Sequence, residues 1–512
     1  MTETPLERRF EQLEQRLSVV PVPSPADINA ATDFAIDANA AHRADLTLAL
    51  LEPLTAKAPN VAKVWQLIGL AARDEQEMDT AANAFARAAQ LAPQDPRIAL
   101  GKAQVAFESG EPSADQFIAV RRIAPQDGEL ALSTAAALVQ EGRSGDGVSL
   151  VTDLVRQNPG WLRGHEWLAS NRWISGDPDY AGELETALAR FPDDPALHLA
   201  LYRAVSQVED WSRAQAILAS ARARLGDRIE LDAAEAHIAT EIGADDHAQV
   251  LFSRLADLAD PGVALSEIRH CLRTGRVDRA EKRAHGLLGG PAARAAWPYM
   301  GTIWRLLGDP RAAWLDGDPP FVRHFDLPLS HTELDQLATM LRRLHLSTHA
   351  PPEQSLRGGT QTQGHLFLRS EPQLLAIRAH IVDAVRAYVD ALPAHVEGHP
   401  LLGTLRGAVH FEGAWSVRLG AQGFHVVHTH PVGWISSALY VALPDDLGAA
   451  PSGWLELGAP PPDLRLDLAP YLRIEPKPGR LALFPSTMWH GTVPFDDGER
   501  LTIAFDIRTP SR

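Results

Sequence analysis

A helical solenoid followed by a double-sheet β domain is the fold class predicted by this 512-residue sequence. Prolines recur at Pro93, Pro125, Pro159 and Pro192, spaced 32, 34 and 33 residues apart. A fixed period of that length marks stacked helix pairs. Near residue 315 the alanine-rich periodicity stops, and short β-rich runs broken by Gly and Pro take over. Thirteen of the twenty histidines lie from His324 onward, a bias that favours metal chemistry in the second part.

The first residues, Met1 to Phe10, are charged and lack the apolar run of a signal peptide. Residues 1–25 end in Val-Val-Pro-Val-Pro-Ser-Pro and read as a short helix with a stiff linker. From Ala62 to Asp95 the pattern Trp65, Ile68-Gly69, Ala72, Ala81, Phe85, Ala88, Pro93 has tetratricopeptide spacing. Small residues at Gly69, Ala81 and Ala88 let two helices approach, and Pro93 stops the second one. The phrases Leu91-Ala-Pro-Gln-Asp-Pro96, Ile123-Ala-Pro-Gln-Asp127 and Phe191-Pro-Asp-Asp-Pro195 echo one another. Beyond Gly226 the signature residues fade, but amphipathic helices are expected to about Pro310. Residues 26–315 are therefore read as a repeat solenoid, and such solenoids bind peptides or partner proteins on a concave face.

Residues 316–512 are read as the β domain. Helices are expected at about 331–346 and 372–392. Strands are expected at His365–Leu368, Trp415–Arg418, Phe424–His430, Ile435–Val441, Gly453–Leu457, Arg480–Phe484 and Leu501–Phe505. Several short strands with turns between them favour a sandwich or barrel holding a ligand in its mouth.

Composition bounds the function. Hydrophobic residues make up 45% and charged residues 22%, ordinary for a soluble globular protein. A net charge of −17 argues against nucleic acid or an anionic membrane as partner. The one cysteine, Cys271, excludes an intramolecular disulfide and any multi-cysteine metal site. No apolar run approaches the roughly 18 residues of a membrane helix. The expectation is a cytoplasmic protein.

The candidate chemistry lies in Gly423-Phe-His-Val-Val-His-Thr-His-Pro431, answered by Trp489-His490 and Arg500-Leu-Thr502. On a strand, His428 and His430 leave the same face because side chains alternate with period two. His490 brings a third neutral nitrogen from a distant strand, completing one face of a metal site. His425, at odd spacing from His428, is expected on the other face and not as a ligand. A cupin would carry a Glu shortly after the second His, and Val432-Gly433-Trp434-Ile435 supplies none. A three-histidine zinc hydrolase gives no reason for Arg500. An iron(II) oxygenase using 2-oxoglutarate does, because the far carboxylate of that cosubstrate needs a fixed bidentate cation.

From about residue 355 to 507 the chain resembles the 2-oxoglutarate/iron(II) oxygenases of bacteria and phages. Their motif runs His-x-His-Pro, Ser-x-x-Tyr-Tyr, Gly-x-Leu-x-x-Phe-Pro, His, then Arg-x-Ser/Thr. The counterparts are His428-Thr-His430-Pro431, Ser437-Ala-Leu-Tyr440, Gly479-Arg-Leu-Ala-Leu-Phe484-Pro485, His490 and Arg500-Leu-Thr502. Gln354 to Thr362 also resembles members that carry N-terminal tetratricopeptide repeats. The resemblance implies a double-stranded β-helix (jelly roll) with Fe(II) held by His428, His430 and His490, and 2-oxoglutarate held by Arg500, Thr502 and Tyr440. Most such enzymes have a carboxylate where His430 stands, so His430 is either the third ligand or a residue behind two ligands. Arg357 and Gln361, in the loop around Gly358-Gly359, are candidates for gripping substrate, and Trp434 and Trp489 for walling its channel. The implied activity is hydroxylation of a peptide or protein captured by the repeats. A peptide-binding scaffold with an inactive barrel and a small-molecule oxygenase with assembly repeats are the rivals.

Overall fold

The computed structural model describes residues 4–352 and 354–510. Nineteen α-helices among these residues, from α1 (Pro5–Val19) to α19 (Arg311–Asp316), precede the first strand. The chain forms two compact units, one of residues 4–151 with Phe367–Leu375, the other of Thr152–Leu366 with Ala376–Pro510.

In the first unit, α4 (Ala62–Asp74) and α5 (Met78–Leu91) are the two helices of the signature repeat, and α6 (Pro96–Glu108) follows. The fully buried Phe85 lies between them, so close that a Cβ at Gly69 would stand 2.7 Å from its ring and one at Gly101 2.2 Å. The small residue at 69 is thus explained by contact, and Gly101 acts in the same way from the next repeat. The echoing phrases are helix starts: Asp95, Asp127 and Asp194 each accept a first-turn backbone N–H, with Pro96 and Pro195 at the first helical position. Helix α1 starts on a capping box, Thr4 with Glu7, and buries Leu13 and Leu17 in the core that contains Phe34 and Phe85.

The second unit joins the later repeats and the β domain. Among the described residues the β domain has two antiparallel sheets, one of six strands and one of three. The larger has the order β1 (Arg323–Asp326), β7 (Arg480–Pro485), β4 (Ile435–Ala442), β9 (Arg500–Ile507), β3 (Phe411–His425), β2 (Leu356–Gln361). The smaller has the order β6 (Leu472–Ile474), β5 (Leu455–Leu457), β8 (His490–Thr492). Helices α20 (His331–Leu344) and α21 (Pro372–Asp390) lie where the amphipathic pattern predicts.

Two expected strands differ. Residues Leu366–Leu368 form a 3-10 turn. The 424–430 segment is not one strand: β3 ends at His425 and the chain bends. The bend starts where β3 leaves β9 at Leu419, with Gln422 at φ 60° and Gly423 so close to Gly420 that a Cβ would stand 2.7 Å from its carbonyl oxygen. His428 then pairs with His490 on the smaller sheet, each donating its backbone N–H to the other's carbonyl at 2.9 and 3.0 Å. A strand that changes sheets turns a corner, and bulges and bends accompany it.

His345 follows α20 and ties β2 to β3, with Nδ1 2.9 Å from Thr360 Oγ1 and Nε2 3.1 Å from Ser416 Oγ. Burial, reinforced by the nearby Arg418 charge, pushes its pKa down to about 4. The unfolded state therefore binds the extra proton between about pH 6.5 and 4. Stability is complete above that window and falls as the pH drops through it, by about 2 kcal/mol after allowing for partial exposure. In His345→Gln, urea unfolding at about pH 7.5 and pH 5 is expected to show a smaller difference in stability than in the parent. An equal difference would remove His345 as the cause.

Candidate active site

His428 and His430 both face the space between the sheets, and β8 carries His490 into it from the smaller sheet. One ring nitrogen of each lies within 4.8 Å of the others. The Nε2 atoms of His428 and His430 stand 3.0 Å apart. A divalent metal with bonds of about 2.1 Å to ligands at right angles needs about 3.0 Å between donors. The His428–His430 pair therefore fits two adjacent positions of such an ion, and His490 stands within reach of a third.

The other nitrogen of each ring faces outward onto an acceptor. His428 Nδ1 lies 2.8 Å from the Val426 carbonyl, and His490 Nδ1 3.0 Å from that of Met488. His430 Nδ1 lies 2.7 and 2.9 Å from the two carboxylate oxygens of Asp506. Acceptors on that side put the proton on Nδ1 and leave each Nε2 lone pair inward, the tautomer a metal requires. Burial and the neighbouring His430 push the His428 pKa down to about 3, and burial holds His490 well below the usual histidine range. Both are neutral and ready to ligate.

Asp506 was not legible as a candidate. It lies on β9 with Arg500, Thr502 and Ala504, the period-two face already marked by two site residues. It is 7% exposed, and Ser436 Oγ lies 2.5 Å from its Oδ1 and 2.9 Å from Ser486 Oγ. His425 departs from expectation. Because the chain bends after β3, alternation does not run from 425 to 428, and its ring stacks 5.9 Å from that of His428. Ser355 Oγ lies between them, 3.0 Å from His425 Nδ1 and 3.1 Å from His428 Nε2.

Arg500, Thr502 and Tyr440 line the same cavity as the three histidines, and Tyr440 is the register partner of Thr502. Arg500 is 1% exposed. Its two terminal nitrogens donate to the Gly453 carbonyl at 2.9 Å and Thr492 Oγ1 at 3.0 Å, while Nε has no partner among the described residues. No carboxylate of a described residue pairs with it, and burial pulls its pKa down. The Tyr440 hydroxyl is also buried without a partner. A buried cation and a buried hydroxyl left open in one cavity fit a carboxylate ligand.

The remaining candidates divide. Gln361 lines this cavity, and Arg357 lines the larger one beside it, where it pairs with Glu209. Trp434 and Trp489 line neither. The Trp434 indole N–H donates to the Leu401 carbonyl at 3.0 Å. That of Trp489 donates to Pro298 O and Thr302 Oγ1, with Tyr299 edge-on at 5.2 Å. Both are core residues, their polar atoms satisfied away from the cavity. Trp489 instead anchors the strand bearing His490 to α18 (Ala293–Leu307).

Residues 413–506, which start within β3 and stop within β9, match the family model described as "Putative 2OG-Fe(II) oxygenase". The chain therefore carries an oxygenase domain of this type at its C-terminal end. All three histidines, Tyr440, Arg500, Thr502 and Asp506 lie inside it. Among solved structures, YrrB, a tetratricopeptide-repeat protein with an unusual peptide-binding site, is 15% identical over 38% of this chain and 96% of its own, with a TM-score of 0.30. A Pseudomonas putida prolyl-4-hydroxylase is 17% identical over 37% and 93%, TM-score 0.26. A repeat protein from Parabacteroides merdae is 13% identical over 49% and 94%, TM-score 0.30. No curated protein matches the chain. No described helix is long and apolar enough to cross a membrane.

Proposed function

We propose that the protein is a 2-oxoglutarate- and Fe(II)-dependent dioxygenase that hydroxylates a residue of a peptide or protein. The observation that carries this reading is a buried arginine with no anionic partner among the described residues, in one cavity with three converging histidines. In this reading His428, His430 and His490 hold the iron, and Arg500 takes the far carboxylate of 2-oxoglutarate, with Thr502 and Tyr440 beside it. When bound, iron with 2-oxoglutarate supplies the oxidation: one oxygen atom of O2 becomes the substrate hydroxyl, the other enters succinate, and carbon dioxide leaves. The chain's own residues orient and exclude water. Asp506 holds the Nδ1 proton of His430 and so keeps its Nε2 lone pair inward.

Asp506 also accounts for His430. A triad with a carboxylate brings one negative charge to the metal, and three histidines bring none. Here the carboxylate stands one ring further out, hydrogen-bonded to the ligand. In Asp506→Asn, Fe(II) affinity is expected to fall by about 10- to 100-fold. His430→Ala is expected to abolish both iron binding and succinate formation. Competition with a metal-sensing dye gives the affinities, and succinate is assayed separately. Unchanged iron in His430→Ala would place that residue behind two ligands.

A further inference from the structure

We propose that the substrate is an extended polypeptide that lies as an added strand along the free edge of β2; this rests on the oxygenase reading above. Strand β2 ends the larger sheet, with β3 on one side only. Among the described residues, no backbone hydrogen bond reaches Leu356–Gln361 from any element but β3. Two bonds fix which groups face outward. Val426 N–H donates to Ser355 O, and Thr362 N–H donates to Ser416 O. With the register on each side of the Arg357/Gly359 shift, alternation leaves the N–H and C=O of Leu356, Gly359 and Gln361 turned away from β3.

That edge lies in the wall of a cavity of about 940 Å³ that reaches His428, His430 and Asp506. Gln354 to Thr360 line it continuously, and Trp415 stands at its inner end, its ring 5.6 Å from that of His430. The facing wall belongs to the repeats: Trp173 at the end of α10 (Leu162–Ile174), and Gln207 to Glu209 after α12 (Pro195–Ser206). Helix α10 also fixes the loop before β2. Its last carbonyl, Ile174 O, accepts from the backbone N–H of Thr348 and His349, and Trp173 Nε1 donates to Ala350 O at 3.0 Å. The groove is therefore built and held on both sides.

Arg357 closes one end of the edge. Its guanidinium donates to the carbonyls of Gln354 and Leu356 and pairs with Glu209. Gly359 and Gln361 remain open. Glycine at 359 is required by β3, since a Cβ there would stand 2.3 Å from the Arg418 carbonyl oxygen, and it leaves this stretch bare of side chain. An exposed strand edge is a template for another strand. Main-chain pairing supplies affinity for any extended peptide, and alternate side chains supply choice. A small metabolite has no use for such an edge.

The test pans a displayed library of random dodecapeptides on the full-length, Fe(II)-loaded protein with 2-oxoglutarate, without oxygen. Enriched peptides are synthesised and added back while amide exchange is followed. The expected result is about tenfold or greater slowing at Gly359 and Gln361. An N-methyl scan of the peptide is expected to weaken binding by about tenfold or more at every second position only. A library without binders, binders that leave residues 354–362 unprotected, or a scan without alternation each overturns the proposal. Failure of the oxygenase reading is seen separately. Alternating binders with no 2-oxoglutarate-dependent succinate would end that reading while leaving the edge site standing.

Discussion

Arg500→Gln is expected to weaken 2-oxoglutarate binding by about 30- to 1,000-fold while leaving Fe(II) affinity unchanged. Removing one side of a buried, hydrogen-bonded charge pair costs about 2–4 kcal/mol, and each 1.4 kcal/mol or so is a factor of ten. Titration of 2-oxoglutarate into the metal-loaded protein by calorimetry reads the effect directly. The same site predicts the opposite sign for stability. Arg500 is a buried cation with no anion of a described residue beside it and an unpartnered Nε. Desolvation of that charge is a cost that the ligand offsets. Arg500→Met should therefore be at least as stable to urea as the parent, although it binds no cosubstrate. A strong loss of stability in Arg500→Met would mean that the guanidinium is a structural pin, and its assignment to 2-oxoglutarate would fail.

The second large effect concerns the repeats. A fragment of residues 311–512 is expected not to fold, although it contains the whole family match. Trp489 packs with Tyr299, Met300, Ile303 and Trp304 of α18 in one core that also takes in Leu464 and Val427. Arg294 donates to Gly433 O at 2.6 Å and Thr509 Oγ1 at 2.8 Å, and Arg305 donates to the carbonyls of Gly458 and Ala469. Loss of one buried aromatic contact set costs about 3–5 kcal/mol, against a total stability of about 5–15 kcal/mol. Near-ultraviolet circular dichroism and a thermal scan should show no cooperative transition. A fragment that melts cooperatively and binds iron would refute this coupling. Deleting the repeats therefore does not separate capture from catalysis, because it removes the support of the strand that carries His490.

Much of the fold was legible in local pattern. Proline period, the small residues against Phe85 and the aspartate-led helix starts depend on neighbours a few residues away or one repeat away. The strand carrying Arg500 and Thr502 was legible for the same reason, since alternation is a property of a single extended segment. Asp506 continues that face, but an aspartate at a strand end has the local signature of a surface residue, so its place in the site was not legible. Trp489 and Trp434 were not decided by local pattern, because an aromatic a few residues from a histidine has the same signature whether it lines a channel or fills a core.

What the sequence by itself determined is the order of the parts and the residue types of the site: helix pairs, then short strands, with three histidines and an arginine at set spacings. Local propensity and side-chain period suffice for that. Only the tertiary structure decided that the 424–430 segment changes sheets, which brings His425 beside His428 and pairs His428 with His490. It alone decided that Asp506 stands behind His430, that Arg500 has no anion beside it among the described residues, and that the later repeats share a core with the oxygenase domain. Each of these depends on which strand or helix lies opposite, and that is set by the burial of apolar faces far apart in the chain rather than by any local run of residues.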